Sequence, residues 1–286
     1  MDGRCWVCDG SDLRPVPGTS SGALTPDDVR ISDSVYGTTG QLGRCIACGF
    51  VQCTDAGDVL ARYAGMEDAA YEESRVPRAL QMRRLLGGLR ELRPDMRLLD
   101  VGAASGILVE EALRLGLRAD GVEPSVWLSA RARERGLPVL TGALPHPALK
   151  GPYDIVMLVD IIEHVERPVE LLRQARELLT GTGRIVVVTP DRSSWAARLM
   201  GRRWWHYRRA HIGYFDLNTL DLAMRRVGMV RKRWSRPSWY FTLGYLLQRA
   251  VVYLPWLRAT AARHARQSTI VPLNLRDSIL AVYAPA

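Results

Sequence analysis

Residues 97–116 read RLLDVGAASGILVEEALRLG, and the fold of the chain is decided there. The apolar pair Leu98-Leu99 runs into an acid, Asp100, and then into a turn of small residues, Val101-Gly102-Ala103-Ala104-Ser105-Gly106. An amphipathic helix opens near Ile107. A buried parallel strand that ends in a glycine turn at a helix start lets backbone N–H groups come close to a ligand. About 20 residues on, Gly121-Val122-Glu123-Pro124 reads as a second short strand closing on an acid. A carboxylate in that place can accept hydrogen bonds from both hydroxyls of a ribose. Together the two signals predict an adenosine-containing cofactor.

The turn itself narrows the choice. A dinucleotide fold wants G-x-G-x-x-G, with glycines placed for a pyrophosphate. Here the pattern is D-x-G-x-x-x-G, with alanines at Ala103 and Ala104, and no phosphate-binding lysine follows, which excludes a P-loop. Downstream, Tyr153 to Val159 reads as a buried strand with Asp160-Ile161-Ile162-Glu163-His164-Val165 at its end. A helix from Pro168 to Leu179 then leads through Gly181-Thr182-Gly183, read as a turn, to an apolar strand from Arg184 to Thr189. Alternating β and α segments joined by short glycine turns imply a doubly wound, Rossmann-like parallel sheet. Ligands bind beyond the C-terminal strand ends of such sheets, and Asp100, Glu123, Asp160 and His164 all fall there.

The D-x-G-x-x-x-G turn resembles motif I of the class I S-adenosylmethionine-dependent methyltransferases. The segment Thr189-Pro190-Asp191, with Ser194, Ala197 to Trp205, His211, Tyr214-Phe215 and Thr219-Leu220, is similar to a bacterial small-molecule subfamily of that class. Its members share a TPN…S…A…GxxW…H…F…TL pattern and a D-x-x-E-H segment after the fourth strand. Asp191 stands here for the usual Asn, and Leu179 to Gly183 for the usual LKPGG. The resemblance runs from about residue 55 to 235. It implies S-adenosylmethionine as cofactor, with Asp100, Gly102, Ala103 and Gly106 around the methionine tail and Glu123 on the ribose. Pro124, Gly142 and Ala143 would flank the adenine, and Asp160-Ile161 would lie under the sulfonium. Tyr63 and Tyr71, just ahead of motif I, could close over the cofactor or simply pack.

Four of the five cysteines form two C-x-x-C knuckles, Cys5–Cys8 and Cys45–Cys48. Two knuckles complete a tetrahedral S₄ set suited to a structural zinc ion, Zn²⁺. Such a closed site leaves no position for chemistry. The 36 residues between them are rich in Gly, Pro, Ser, Thr and Asp, as in a small ribbon with little core of its own. Cys53 is left over and is expected to be a small buried residue. These readings divide the chain into a zinc-ribbon-like domain over 1–54, a helical cofactor cover over 55–94 and the methyltransferase domain over 95–286. A helical lid insertion over 236–276 is expected between the last two strands, Gly228–Ser235 and Asp277–Ala284.

At 286 residues, 47% hydrophobic and 24% charged, the composition is that of a globular protein with ample core. No basic-then-apolar leader opens the sequence, and the longest apolar region, Trp239 to Leu257, is broken by Gln248-Arg249. A cytoplasmic location is the expectation, with peripheral membrane contact left open. The net charge of +9 comes from residues 191–286, where 17 Arg and Lys face 4 acids and six of the eight tryptophans reside. The insertion carries the basic run Arg258 to Arg266. Clustered Arg and Trp can hold an anionic small molecule, stack on bases or sit at a membrane surface; a solvated basic face is the plain alternative.

Methyl transfer from a sulfonium is an in-line displacement that needs alignment above all, and a hydroxyl acceptor gains from a base. His211 and His164 are the candidates; His206 lies five residues before His211, but that pair has no carboxylate or cysteine partner suggesting a metal. The expected function is methylation of a small-molecule acceptor, foremost at oxygen, in natural-product or glycan biosynthesis. C- or N-methylation of a nucleotide-linked sugar or carrier-bound intermediate is the alternative. An RNA-modifying enzyme lacks its usual N/D-P-P-Y/F or Pro-Cys signature here, so nucleic acid is disfavoured. A cofactor-binding cyclase or scaffold that transfers no methyl group stays open.

Overall fold

The computed structural model describes residues 3–17, 26–32, 36–264 and 268–286. Seven strands form the central sheet: β1 (Arg97–Val101), β2 (Arg118–Glu123), β3 (Val139–Thr141), β4 (Tyr153–Val159), β5 (Leu179–Pro190), β6 (Met229–Ser235) and β7 (Ser278–Pro285). Their order is β6-β7-β5-β4-β1-β2-β3. The pairs from β3 through β5 are parallel, whereas β7 runs antiparallel to both β5 and β6. This is the doubly wound arrangement the βα alternation predicts, with an antiparallel strand set into one side.

The interior strands are buried on both faces, so their apolar runs are continuous. Successive residues alternate between two cores. Leu99, Val101, Val156, Leu158 and Val187 face one; Leu98, Ile155, Met157, Val186 and Val188 face the other. Helix Ile107–Arg114 closes the second core with Leu108, Val109 and Ala112, and helix Pro168–Glu177 closes the first with Val169, Leu172 and Ala175. Both place apolar residues at helical spacing, which is why a single stripe suffices.

Leu179 to Gly183 makes the expected turn within β5: a Cβ on Gly183 would stand 3.0 Å from that of Leu179, so the chain doubles back there, and pairing with β4 skips from Tyr153–Leu179 to Ile155–Arg184. The expectation of a helical insertion needs correction: the insertion is not wholly helical. Trp239–Thr242 and Ile270–Leu273 pair antiparallel at its base, and helices Leu243–Ala250 and Arg258–His264 lie between them; the basic run beyond His264 lies outside the described residues. The N-terminal ribbon has little core of its own. Its strands Leu13–Pro15, Leu42–Cys45 and Val51–Cys53 recruit a fourth, Gly213–Tyr214, from the sequence after β5. Cys5, Val7, Cys45 and Phe50 join the same apolar cluster as Phe215, Leu220 and Met224. The Phe50 and Phe215 rings meet at 4.7 Å, and Arg226 binds the Val7 carbonyl and the Asp9 carboxylate.

Candidate active site at the strand ends

Parallel pairing sets the ends of β1, β2 and β4 side by side, so the loops leaving them must face one pocket. The turn after β1 is pinned from beneath: the N–H groups of Gly102 and Ala103 both donate to the Val122 carbonyl, at 2.8 and 3.0 Å. Glu123 then braces it from the side. One carboxylate oxygen accepts the Ala104 N–H and the other the Ser125 N–H, each at 2.8 Å. Gly142 donates to the Glu123 carbonyl at 2.9 Å, which carries the β3 exit to the same place; Pro124 and Ala143 are the next residues along these loops.

Gly102 sits at φ +75°, and the Ile161 side chain fills the space where a Cβ would be. Ala104 (φ 46°) and Asp160 (φ 54°) are non-glycine residues in the left-handed region. Such conformations persist only where the surroundings impose them, and both residues lie on the loops that face the pocket. Gly106, also at positive φ, caps the helix that begins at Ile107.

The buried acids share the pocket's electrostatics. Burial, reinforced by Glu123, raises the Asp100 carboxyl well above the usual range. Burial lifts Glu123 to about 7 against the pull of its two backbone donors. Asp160 is also raised to about 7 by burial, with Arg78 opposing and Asp277 adding to the rise. Tyr71 feels Arg78, Asp100 and Glu123 around it, and the Arg78 guanidinium lies 4.2 Å from its ring centre. Tyr71 is thus within electrostatic reach of the acids at the strand ends.

Beside this pocket three imidazoles form a ladder. His164 and His211 meet edge to face at 4.7 Å, and His211 stacks on His206 at 5.6 Å. His164 Nδ1 lies 2.7 Å from both the Ala210 carbonyl and the Tyr63 hydroxyl. A carbonyl only accepts, so the Nδ1 proton is fixed there and Nε2 carries the lone pair. Burial holds His164 down to about 3 and His211 well below the imidazole range. Glu163 is buried beneath them, its Oε2 accepting from Thr189 at 2.9 Å. Its Oε1 and His211 Nδ1 find no hydrogen-bond partner. The polar atoms of Glu163, His164 and His211 converge to within 4.8 Å, one knot built from the D-x-x-E-H loop and the segment after the Trp-rich stretch.

His206 differs from its neighbours. Its Nε2 lies 3.3 Å from the carboxylate of Asp277, which also takes the Trp204 indole N–H at 3.4 Å. Burial opposes ionisation of Asp277, yet hydrogen bonding and charge from His206 hold its carboxyl below the usual range. The sequence reading that left His206 without a carboxylate is therefore corrected. The acid comes from the foot of β7, over 70 residues on, where no local spacing could reveal it. Arg208 was missed for the same reason. It donates to the carbonyls of Arg30 and Ile31, while Arg209 pairs with Asp28 and Arg249 donates to the Ser32 carbonyl. Ser32 is also tied to Asp68. Several arginines of the basic third thus strap residues 28–32 over the site.

At the ribbon, the four thiols of Cys5, Cys8, Cys45 and Cys48 lie within 4.8 Å of one another, with Cys5–Cys48 and Cys8–Cys45 sulfurs at 3.5 Å. The two knuckles repeat one turn: Asp9 N–H donates to the Cys5 carbonyl and Gly49 N–H to the Cys45 carbonyl, with Asp9 and Gly49 both at positive φ. Cys53 is apart from them, buried, with its thiol on Asp55 at 3.0 Å.

Comparison with known proteins agrees with this geometry. A family model described as a methyltransferase domain matches residues 72–230, more than half of the chain. Over 108 residues the chain is 34% identical to the ubiquinone biosynthesis O-methyltransferase of Caulobacter sp. (strain K31), covering 34% of this chain and 42% of that protein. Over 117 residues it is 32% identical to the same-named enzyme of Caulobacter vibrioides, covering 37% and 46%. The chain thus spans less than half the length of these curated relatives. Among solved structures, a chain of the Haloferax volcanii complex between the Trm112 methyltransferase activator and a candidate methyltransferase superposes with TM-score 0.55 at 14% identity, covering 80% of this chain and 97% of that one. That likeness is one of fold.

Proposed function

Because the chain belongs to a methyltransferase family whose members use S-adenosylmethionine, we propose that it moves the cofactor's methyl group to a hydroxyl of a small-molecule acceptor in the cytoplasm. The observation that carries the oxygen assignment is the carboxylate-paired His206 beside the strand ends, supported by the O-methyltransferase relatives. The cofactor would lie across the turn at Gly102, its ribose on Glu123 and its sulfonium above Asp160-Ile161, with Tyr71 as cover. When bound, it supplies an electrophilic methyl; the chain's residues orient it and the acceptor.

A base must take a proton and carry the positive charge. Buried His164 and His211 resist that charge, whereas His206 has the Asp277 carboxylate 3.3 Å from its Nε2 to orient the ring. In this reading His206 is the base, and His211 and His164 hold its ring plane from behind. The test is a screen of phenols, catechols and sugar alcohols with labelled S-adenosylmethionine, in which S-adenosylhomocysteine must appear in proportion to methyl ether. Cofactor consumed without a methylated product would instead favour the non-transferring reading. With an accepted alcohol in hand, His206→Asn should lower kcat by about 10²–10³-fold and spare cofactor affinity. Asp277→Asn, which removes the carboxylate that orients the ring, should also lower kcat while sparing cofactor affinity. Parent-like kcat in both variants removes the assignment.

Glu123→Ala tests the cofactor site without any acceptor. Two charge-assisted backbone bonds and the ribose contacts go together, so affinity for S-adenosylmethionine should fall about 100-fold by calorimetry. Unchanged affinity would place the ribose elsewhere.

We also assign a structural zinc to the four ribbon cysteines. A tetrahedral site with Zn–S near 2.3 Å needs sulfurs about 3.8 Å apart, close to the 3.5 Å of the two shortest pairs. The knuckle turns and the S₄ donor set suit that ion, and its closed shell leaves the transfer chemistry to the other end of the chain.

A further inference from the structure

The largest apolar side chains left in water on this protein lie among arginines. Helix Trp195–Met200 leaves Trp195 82% exposed and Leu199 90% exposed, four residues apart and so on one face. Arg198 stands 5.9 Å from the Trp195 ring centre, and Arg202 and Arg203 are exposed on the next turn. The Tyr253 hydroxyl donates to the Arg203 carbonyl at 3.0 Å, which brings the crest of the insertion alongside. That crest exposes Val252, Leu254 and Trp256, the last at 74%, and Arg258 and Arg263 follow on the exposed helix behind it. No acid occurs anywhere in 192–215 or 222–276.

We propose that this face docks on the surface of an anionic phospholipid bilayer, with Trp195, Leu199 and Trp256 inserting at the headgroup level and the arginines contacting lipid phosphates. Tryptophan prefers that depth because its ring is apolar while its N–H stays hydrated. The two segments are short and separate, so they form prongs and not the continuous groove or flat patch that a protein partner would cover. A run of 55 residues without one carboxylate also gives a membrane of negative lipids no repulsion to overcome. Other arginines of the basic third are spent inside the fold, on the carbonyls of residues 30–32 and on Asp191. Those around the prongs are exposed, which is the distribution a surface contact needs. The stretch after β5 leads from this face through Trp204 to the imidazole ladder, so docking would turn the neighbourhood of the site toward the bilayer.

Cosedimentation of the full chain with phosphatidylcholine vesicles, with and without phosphatidylglycerol, tests the surface and needs no acceptor. Binding is expected only to vesicles containing phosphatidylglycerol, weakening as salt rises. A Trp195→Ala, Leu199→Ala, Trp256→Ala triple variant should bind them at least about tenfold less while its Tm and its affinity for S-adenosylmethionine stay at the parent values. These residues are exposed, so the variant has no core to lose. Brominated lipids should quench tryptophan fluorescence in the parent and quench the triple variant less. Absence of vesicle binding at low salt, or equal binding by the triple variant, overturns the proposal. So does concentration-dependent self-association that the triple variant abolishes with no vesicle binding, because the prongs would then meet a second copy of the chain.

Discussion

Gly102→Val should abolish measurable binding of S-adenosylmethionine and lower the Tm by about 5 °C. Two costs combine. At φ +75° any side chain strains the backbone by about 1–2 kcal/mol. A Cβ at this position would also stand 2.1 Å from Ile161 Cδ1 and 2.7 Å from its Cγ1, and valine adds two methyl groups to that conflict. Neither loop can yield cheaply. The turn after β1 is fixed by the Gly102 and Ala103 N–H bonds to Val122 and by Glu123 on Ala104. The loop after β4 is fixed by the Asp160 N–H bond to Val188. Whichever loop moves, the site proposed for the methionine end of the cofactor loses its floor. The double variant Gly102→Ala, Ile161→Ala separates the two costs. It relieves the clash and keeps the strain, so it should recover most of the Tm and part of the affinity, measured by calorimetry. A Gly102→Val protein that binds cofactor like the parent would mean that the turn is an ordinary βα connection.

The same turn shows how far the sequence carries. Asp100 to Gly106, Glu123, Asp160-Ile161 and Gly142 are legible because each sits at a strand end, and strand ends in a doubly wound sheet are fixed by local apolar runs and short loops. The separation of β6 from β7 follows in the same way, whereas the antiparallel run of β7 between its neighbours is absent from the parallel sheet that the sequence predicts. What stays hidden depends on partners distant in sequence. Asp277 reaches His206 only because β7 inserts between β5 and β6. Arg208, Arg209 and Arg249 look like solvated charge until the carbonyls and carboxylate of residues 28–32 are brought beneath them. Of the clustered tryptophans, Trp204 is fully buried with its N–H aimed at Asp277, while Trp195 stands in water. Composition gives both the same weight, and only tertiary packing separates them. The turn at Leu179 to Gly183 is legible for a local reason: glycine and threonine spell a turn, and the chain doubles back there between its pairings at Leu179 and Arg184.

The ribbon gives the second large expectation, because its core is not its own. Cys45→Ser should leave the protein without the proposed zinc and lower its Tm by more than about 10 °C, well beyond the effect of one lost thiol. Were the ribbon independent, losing the metal would unfold 50 residues or so and spare the rest. Here Cys5, Val7, Cys45 and Phe50 lie in one cluster with Phe215, Leu220 and Met224, and the ribbon strand Val51–Cys53 pairs with Gly213–Tyr214. His211 is two residues from that pairing, and Ile212 donates to the Glu163 carbonyl at 2.9 Å. Loosening the knuckles therefore loosens the backbone that seats the imidazole ladder. Burial raises Cys5 to about 11, so without a cation its thiol stays protonated, and only weak thiol contacts, Cys5–Cys48 and Cys8–Cys45 at 3.5 Å, link the two knuckles' sulfurs. Cys53→Ser is the control: its thiol bonds Asp55, a serine hydroxyl can do the same, and the Tm should move little. Metal analysis of the purified chain should find one equivalent of zinc in the parent and in Cys53→Ser and none in Cys45→Ser, with scanning calorimetry giving the three Tm values. If Cys45→Ser fails to fold, graded chelation of the parent replaces it, and Tm should then fall in step with the zinc removed. A parent that purifies without metal and melts unchanged in chelator would show that the core alone holds the ribbon in place.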